Sequence, residues 1–193
     1  MKPTLVVFAR EPVMGRAKTR LAAGVGAVHA HRLYRAMILA TLRRTADPRW
    51  TTVVAVAPDR AAGHPIWDGW YQVGQGGGSL SPRLSRALSR PGPVAVIGTD
   101  CPQVRARDIA DAFAALRSHD LALGPADDGG FWLIAARDAR PDLFGGVRWS
   151  TEHALADVAA NSRGRVAYLR TLTDVDDVEA LRAVRARPGP RTV

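Results

Sequence analysis

Short apolar runs alternate along this chain with segments of helical periodicity, and that alternation constrains the fold more than any other feature. The runs lie at 4–9, 51–57, 93–98, 120–124, 131–136 and 166–169. They are rich in β-branched residues and almost continuously apolar, which is typical of strands buried on both faces. Apolar positions at helical spacing recur between several of them, within 33–42, 109–116 and 178–184. The pattern predicts an α/β fold in three layers, with a mainly parallel, mixed sheet between helices.

The chain has the length and composition of one domain. Its 193 residues, 47% of them hydrophobic, can bury a sizeable core. We expect residues 1–187 to form this domain and residues 188–193 to be a frayed basic tail. No apolar run approaches the roughly 18 residues of a membrane span, and charged residues at 10 and 11 argue against a signal peptide. With a single cysteine, Cys101, these features predict a cytoplasmic protein without a membrane partner.

The net charge of +9 is compatible both with nucleic acids and with phosphorylated small molecules. The arginines are spread along the whole chain, and no basic run is interleaved with aromatic residues. We therefore expect no sequence-specific nucleic-acid binding. Charge alone does not identify the ligand, and the sequence leaves the oligomeric state open.

The loop after the first predicted strand is rich in cations. They are Arg10, Arg16, Lys18 and Arg20. A turn that leaves a buried strand can direct cationic side chains and backbone N–H groups at one phosphate. Lys18 is one of two lysines in an arginine-rich chain, the other being Lys2, which hints at a specific task for its compact charge.

Several common nucleotide-binding and hydrolase motifs are absent. A Walker A motif needs glycine immediately before the lysine, and this chain has Ala17 there. Dinucleotide-type glycine patterns fail at His29 and at Ser79, where a third glycine is required. The sequence contains neither G-x-S-x-G nor H-E-x-x-H. P-loop NTPases, Rossmann dehydrogenases and familiar hydrolases are thus disfavoured.

Two acidic segments follow predicted strands. Asp100, in GTDCP, lies where a carboxylate would meet the crevice at the carboxyl end of a strand, and Mg²⁺ needs only one or two protein carboxylates. Asp174 and Asp176 are alternate residues of an extended stretch and could approach one cation together. The alternatives are a helix cap or turn role for Asp100, and a capping box of Asp176 with Glu179.

Three further segments have open interpretations. GPADDGGFWLI places Asp127 and Asp128 before two glycines, which is typical of a general base or hydroxyl-binding site but also of a β-hairpin turn. WSTEH at 149–153 is typical of a helix start capped by its serine or threonine, with a tryptophan that stacks on a sugar or packs in the core. Residues 58–78 have little periodicity and indicate a long excursion, either a lid or a linker.

Taken together, these motifs resemble a known family. FAREPVMGRAKTRL, GTDCP, LGPADDGGFWLI, WSTEH and DVDD match in order the domain-of-unknown-function branch of the glycosyltransferase-A superfamily, which includes arsenosugar-biosynthesis glycosyltransferase-like proteins. The match covers nearly the whole chain. A more distant similarity is to nucleotidyltransferases that build molybdenum and deazaflavin cofactors. The resemblance implies the nucleotide-diphospho-sugar transferase fold.

The resemblance also implies roles for particular residues. The nucleotide would contact Ala9, Arg10, Gly15, Lys18, Arg20, Arg83 and Thr99. A Mg²⁺ or Mn²⁺ ion would bind Asp100, Asp174 and Asp176. Catalysis would involve Lys18 with Asp127 or Asp128, and the acceptor would contact Gly129, Gly130, Trp149 and Glu152. The stretch 75–84 departs from the family pattern, which puts acceptor specificity or a lid there in doubt.

We expect a metal-dependent transferase that moves a sugar from a nucleotide-sugar to a small acceptor. The alternative is a nucleotidyltransferase, which would use a nucleoside triphosphate and a phosphorylated acceptor and release pyrophosphate. The extra cations of the first loop favour this alternative somewhat. A non-catalytic nucleotide-binding regulator is a further alternative. The base, sugar, acceptor and stereochemistry stay open.

Overall fold

One mixed β-sheet organises the molecule. In the computed structural model, which describes residues 1–138 and 141–186, the sheet has seven strands. They are β1 (Thr4–Arg10), β2 (Thr51–Ala57), β3 (Tyr71–Gly74), β4 (Val94–Ile97), β5 (Leu121–Pro125), β6 (Phe131–Ala136) and β7 (Val166–Tyr168). The order across the sheet is β3-β2-β1-β4-β6-β5-β7. Only β6 runs antiparallel to its neighbours, β4 and β5, so the predicted mainly parallel sheet is confirmed.

Helices cover both faces of this sheet. They are α1 (Thr19–Val25), α2 (Ala27–Thr45), α3 (Leu80–Leu88), α4 (Ala106–Ala115), α5 (Ala154–Asn161) and α6 (Val178–Ala186), with short 3₁₀ turns at Asp59–Ala61, Pro65–Trp67 and Pro141–Phe144. Successive residues of β1 enter different clusters: Leu5 packs with α2 and α4, whereas Val6 packs with α3 and α5. Both side chains are fully buried. The predicted three-layer architecture is confirmed.

The excursion predicted for residues 58–78 is wrong in part. The segment contains β3, which pairs in parallel with β2 and forms one edge of the sheet. Trp67 is fully buried in the core and donates a hydrogen bond from Nε1 to the Ala61 carbonyl. This short edge strand is partly polar and ends in glycine, so it lacks the apolar run by which the other strands are recognised.

Two helix starts also differ from prediction. The serine and threonine of 149–153 do not cap α5, which begins at Ala154 after His153; Thr151 Oγ1 instead accepts a hydrogen bond from the His153 N–H at 3.3 Å. The capping box at Asp176 is absent as well. Asp177 caps α6 by accepting the Ala180 N–H at 2.8 Å, which leaves Asp176 available for other contacts.

The predicted hairpin is confirmed, with a loop longer than two residues. β5 and β6 pair in antiparallel fashion across residues 126–130, closed by a hydrogen bond from the Ala126 N–H to the Gly130 carbonyl at 2.9 Å. No helix within the described residues is long and apolar enough to cross a membrane. The expected basic tail at 188–193 lies outside the described residues.

Candidate active site

The carboxyl ends of β1 and β4 open onto a cavity of about 670 Å³. These neighbouring strands lie where the chain order diverges, with β2 and β3 on one side and β6, β5 and β7 on the other. Ligands of open α/β sheets bind at such a switch point because the loops that leave the two strands part and form a crevice. The cavity therefore lies where the fold itself predicts a binding site.

The structure brings seven of the predicted site residues to this cavity. They are Ala9, Arg10, Lys18, Arg83, Thr99, Asp100 and Asp176. Arg16 joins them from the loop after β1, as the sequence analysis anticipated for its cations. Gly15 and Arg20 lie outside the lining; Gly15 has a left-handed φ of 76°, and the Arg20 guanidinium contacts Asp176 Oδ2 at 2.9 Å from a mostly exposed position.

Lys18 lies among three carboxylates. Its Nζ is 2.6 Å from Asp100 Oδ1, 2.6 Å from Asp176 Oδ1 and 3.7 Å from Asp174 Oδ1, and its side chain is 6% exposed. Burial acts to lower the pKa of Lys18, but the charges of Asp100 and Asp174 outweigh it and hold the pKa above its usual value. The ammonium is therefore firmly protonated in the structure described.

The three aspartates come from two segments that the fold joins. Asp100 follows β4, while Asp174 and Asp176 follow β7, and the Val175 N–H donates to the Asp100 carbonyl at 2.9 Å. One oxygen from each carboxylate lies within 4.8 Å of the others. Asp174 Oδ1 is buried and accepts no hydrogen bond from the residues that the structure describes. Burial first, then the charge of Asp100, raises the pKa of Asp174 to about 7.

This donor set fits a hard divalent cation. Mg²⁺ and Mn²⁺ prefer carboxylate oxygens, and a buried oxygen without a donor is a group that such an ion would satisfy. The predicted metal-ligating residues thus lie together in space, as a metal site requires.

Tyr34 is a site residue that the sequence did not reveal. It belongs to the apolar stripe of α2, yet its hydroxyl lies at the end of β1 and lines the cavity. The hydroxyl accepts a hydrogen bond from the Arg10 N–H at 3.0 Å and donates one to the Arg10 carbonyl at 3.1 Å. Burial and the nearby Asp100 charge raise its pKa. A tyrosine within a helical stripe carries no sequence signal for such a role.

Gln75 is a second residue that the sequence analysis did not assign. Its buried side-chain amide donates to the carbonyls of Ala9 at 3.2 Å and Ala55 at 2.9 Å. Arg83 extends from α3 toward the Gln75 carbonyl oxygen, with 3.5 Å between Nη1 and Oε1. The divergent stretch 75–84 therefore builds one wall of the cavity, which its residues Gly78, Ser79 and Leu80 also line.

The hairpin loop lies beside the aspartates, outside the cavity lining. Asp127 Oδ2 accepts a hydrogen bond from Thr173 Oγ1 at 2.6 Å, and Asp128 Oδ1 accepts the Gly130 N–H at 2.9 Å. The charge of Asp128 contributes to the raised pKa of Asp174. Gly129 adopts a φ of 83°, and a Cβ there would collide with the Glu152 backbone.

Trp149 packs against the protein. Its Nε1 donates to Ser81 Oγ at 2.8 Å, and its ring lies 6.0 Å from those of Phe131 and Phe144. Of the two interpretations of this residue, the contacts favour packing. The neighbouring Glu152 has a side chain that is 80% exposed.

The fold closely matches that of a protein described as a nucleotide-diphospho-sugar transferase. The chain belongs to the family described as "Uncharacterized protein conserved in bacteria (DUF2064)", which matches residues 40–151. The predicted resemblance is thereby confirmed. The comparison with curated proteins found no match.

Solved structures resemble the chain over nearly its whole length. A proposed nucleotide-diphospho-sugar transferase from Desulfovibrio desulfuricans G20 has a TM-score of 0.91 and 27% identity, covering 99% of this chain and 89% of its own. CMP:2-keto-3-deoxy-manno-octonic acid synthetase complexed with CTP has a TM-score of 0.63 and 14% identity, with coverages of 96% and 98%. Rv0371C of Mycobacterium tuberculosis H37Rv, in complex with manganese, has a TM-score of 0.55 and 17% identity, with coverages of 95% and 98%. The last two similarities concern the fold alone.

Proposed function

We propose that this protein is a metal-dependent glycosyltransferase that moves a sugar from a nucleotide-diphosphate donor to a small acceptor. One observation carries the proposal: a cationic loop meets a cluster of three aspartates, two of which, Asp100 and Asp176, line the cavity where β1 and β4 end. A nucleotide-sugar donor needs both features, because the charge of its diphosphate must be offset and the departing nucleoside diphosphate must be stabilised. The fold shared with the Desulfovibrio protein supports the same class of donor.

Different residues of the chain would contact different parts of the donor. Arg10 and Arg16 would contact the phosphates through charge-assisted hydrogen bonds, with Lys18, Arg20 and the Gly15 turn beside them. Ala9, Thr99 and Arg83 would contact the remainder of the nucleotide. Asp100, Asp174 and Asp176 would hold Mg²⁺ or Mn²⁺, which when bound supplies positive charge for the departing diphosphate. Catalysis would rest mainly on position and electrostatics.

For an inverting reaction, the better candidate for the base is Asp128. Both side chains are exposed, but Asp127 accepts a hydrogen bond from the Thr173 hydroxyl, whereas Asp128 accepts the Gly130 backbone N–H and its charge acts on Asp174. A carboxylate there would accept the proton of an acceptor hydroxyl. Gly130 and Glu152 would contact the acceptor, and Gly129 would allow the hairpin to approach residue 152 closely. A retaining reaction would not need this base.

A nucleotidyltransferase is the second candidate. Arg10 and Arg16 both line the cavity, and neither forms an ion pair with a carboxylate within residues 1–138 and 141–186. Cations free of protein partners suit a triphosphate, and the synthetase with the related fold was solved with CTP. This reaction would use the same metal site but release pyrophosphate.

Product analysis across a donor panel separates the candidates. Purified protein with Mn²⁺ would be offered UDP- and GDP-sugars and, in parallel, the common nucleoside triphosphates with phosphorylated acceptors. We expect release of nucleoside diphosphate from a nucleotide-sugar and no pyrophosphate. Pyrophosphate release that depends on an acceptor would establish the second candidate instead. Metal-independent nucleotide binding that survives Asp100→Ala, with no turnover, would identify a regulator and reject both.

A further inference from the structure

The Lys18 ammonium stands where a metal ion would have to bind. It contacts one oxygen of Asp100 and one of Asp176 at 2.6 Å each, and the nearest oxygen of Asp174 is 3.7 Å away. These are the same carboxylates whose oxygens cluster within 4.8 Å. An ammonium and a divalent cation cannot both contact that cluster, since they would exclude each other sterically and repel at short range.

We propose that Lys18 is an exchangeable counter-ion that makes metal binding depend on nucleotide binding. Without nucleotide, the ammonium neutralises the aspartates and competes with the metal for them. Nucleotide phosphates in the cavity provide Lys18 with an alternative anionic partner, and its departure frees the carboxylates. The inference rests on the metal site of the proposed function and adds a cause for ordered assembly of that site.

The geometry allows Lys18 to move without unfolding the loop. Its backbone is fixed, because its carbonyl accepts the Ala22 N–H at 2.8 Å at the start of α1. The flexible four-carbon side chain ends in a point charge that can rotate to another partner. Lys18 also lines the cavity beside Arg16, so phosphates bound there lie within the region that its side chain can reach.

The backbone at Lys18 indicates that its position is enforced. Its φ of 54° and ψ of 47° are left-handed, a conformation that is unfavourable for a residue with a side chain. Placement of its ammonium between Asp100 and Asp176, which lie 82 and 158 residues further along the sequence, offers a reason for this conformation.

Coupling of this kind is reciprocal. If nucleotide raises the affinity for metal by displacing Lys18, metal must raise the affinity for nucleotide by the same factor. Removal of the ammonium should abolish that part of the coupling. It should also increase metal affinity in the absence of nucleotide, because no resident cation would then have to leave.

The test is a titration with Mn²⁺ in the absence of nucleotide. The protein is first stripped of bound metals with EDTA, and free Mn²⁺ is then measured by electron paramagnetic resonance. We compare the wild type with Lys18→Met, and use Lys2→Met as the control that removes the same charge from the other lysine. Lys18→Met should bind Mn²⁺ at least about tenfold more tightly than the wild type. Lys2→Met should match the wild type. Equal or weaker binding by Lys18→Met would overturn the inference.

Arg20→Met distinguishes the effect of the Lys18 ammonium at the metal position from the effect of removing one positive charge. Arg20 also pairs with Asp176, at 2.9 Å, but from the solvent side and without contact to Asp100 among the described residues. Its loss should therefore change Mn²⁺ affinity less than the loss of Lys18. If Arg20→Met changed Mn²⁺ affinity as much as Lys18→Met, the loss of positive charge alone would explain both effects, and the inference would be overturned.

A measurement on the wild type guards against a variant that fails to fold. With only two lysines in the chain, ¹⁵N-lysine labelling gives two side-chain ammonium signals, and Lys2→Arg assigns them. Mg²⁺ should shift the Lys18 signal only weakly alone and strongly together with a nucleoside diphosphate. A Lys18 signal unmoved by both ligands together would contradict displacement.

These readouts keep the two proposals apart, because none measures transfer. If the wild type and Lys18→Met bind Mn²⁺ equally well while sugar transfer occurs, the counter-ion role of Lys18 is rejected and the proposed function is retained. If no variant binds Mn²⁺ at all, the metal site falls, and the counter-ion role with it.

Discussion

The loop after β1 and the hairpin loop at 126–130 are both polar, glycine-containing segments next to the same aspartates, yet they present their side chains differently. The first loop directs Arg16 and Lys18 into the cavity. The carboxylates of the hairpin form hydrogen bonds within the protein, since Asp127 accepts one from the Thr173 hydroxyl and Asp128 accepts one from the Gly130 N–H. A polar loop at a strand end is therefore a candidate site, and its contacts decide how much of it remains for a ligand.

Under the proposed function, this contrast leads us to propose that donor and acceptor bind on different sides of the crevice. The side after β1 is cationic and suits phosphates, whereas the hairpin side carries carboxylates, Asp128 and the exposed Glu152. A neutral, hydroxyl-bearing acceptor fits the second side better than a phosphorylated one, because like charges repel at short range. Variants on the two sides should accordingly fail in different ways.

The largest effect is expected where the two sides meet, at Asp100. Asp100→Asn removes the charge of a predicted metal ligand that comes from the switch point itself. We expect the turnover rate to fall about 10²–10³-fold, the scale typical for loss of one transition-state stabilising group. Steady-state kinetics with Mn²⁺ measures it. Asp47→Asn, a surface aspartate paired with Arg49, is the matched control and should retain full activity.

The hairpin aspartates should separate into a catalytic and a structural residue. Asp128→Asn should lower kcat about 10²-fold in an inverting reaction with little change in donor KM, because it removes a base. Asp127→Asn should retain most activity and lose about 1 kcal/mol of stability with the weakened Thr173 bond. The reverse pattern in kinetics and chemical denaturation would exchange the two roles.

On the cationic side, Arg16→Ala should affect binding more than turnover. Loss of a charge-assisted bond to phosphate should raise the Kd for a nucleoside diphosphate about tenfold. Titration calorimetry in Mn²⁺ measures this change. Lys2→Ala removes equal charge from before β1, at the other end of the sheet, and should leave the Kd unchanged. Equal effects of both would mean that net charge, not the loop, attracts the nucleotide.

Beside the hairpin, Trp149→Phe should weaken the fold without weakening substrate binding. The change removes the hydrogen bond to Ser81 and keeps an aromatic ring between Phe131 and Phe144. We expect a loss of about 1 kcal/mol, which lowers Tm by about 2–4 °C in a domain of this size. A large increase in acceptor KM at unchanged Tm would instead restore sugar stacking as the role of Trp149.

A small pH dependence should come from the aspartate cluster. Because the pKa of Asp174 is raised to about 7, the folded metal-free protein keeps a proton that the unfolded chain has released by about pH 4. Stability should therefore fall as pH rises from about 4 to 7 and then level off. Asp174→Asn should flatten this dependence. Denaturation with EDTA present at several pH values measures it, and an unchanged profile in the variant would assign the dependence elsewhere.

The sequence predicts the strands that position this site better than it predicts the contacts between the site residues. β1 and β4 are continuous apolar runs, and the carboxyl ends of parallel strands share one edge, so the meeting of Arg10 with Asp100 follows from pattern alone. The approach of Asp174 and Asp176 needed the family resemblance as well, since a helix cap explained Asp176 equally well. Asp177 takes that cap in the structure.

The remaining features depend on packing that local patterns do not encode. α1 carries two glycines in or beside it, and Gly24 lets Val178 of α6 approach its backbone closely. Such a helix is stabilised by its neighbours more than by its own propensity. The contact of Lys18 with Asp176 spans 158 residues of sequence and follows only from the assembled sheet. Tyr34 belongs to the apolar stripe of α2 and lines the cavity because it lies at the end of β1.

The central claim is that one cavity binds a nucleoside diphosphate on the cationic loop together with a divalent metal on Asp100, Asp174 and Asp176. Thermal denaturation with UDP, GDP, CDP and ADP, with and without Mn²⁺, tests it most directly, in the wild type and in Asp100→Asn. We predict that at least one diphosphate raises Tm by several degrees only when Mn²⁺ is present, and that Asp100→Asn abolishes the shift. The absence of any shift in the wild type, or a full shift in Asp100→Asn, would contradict the claim.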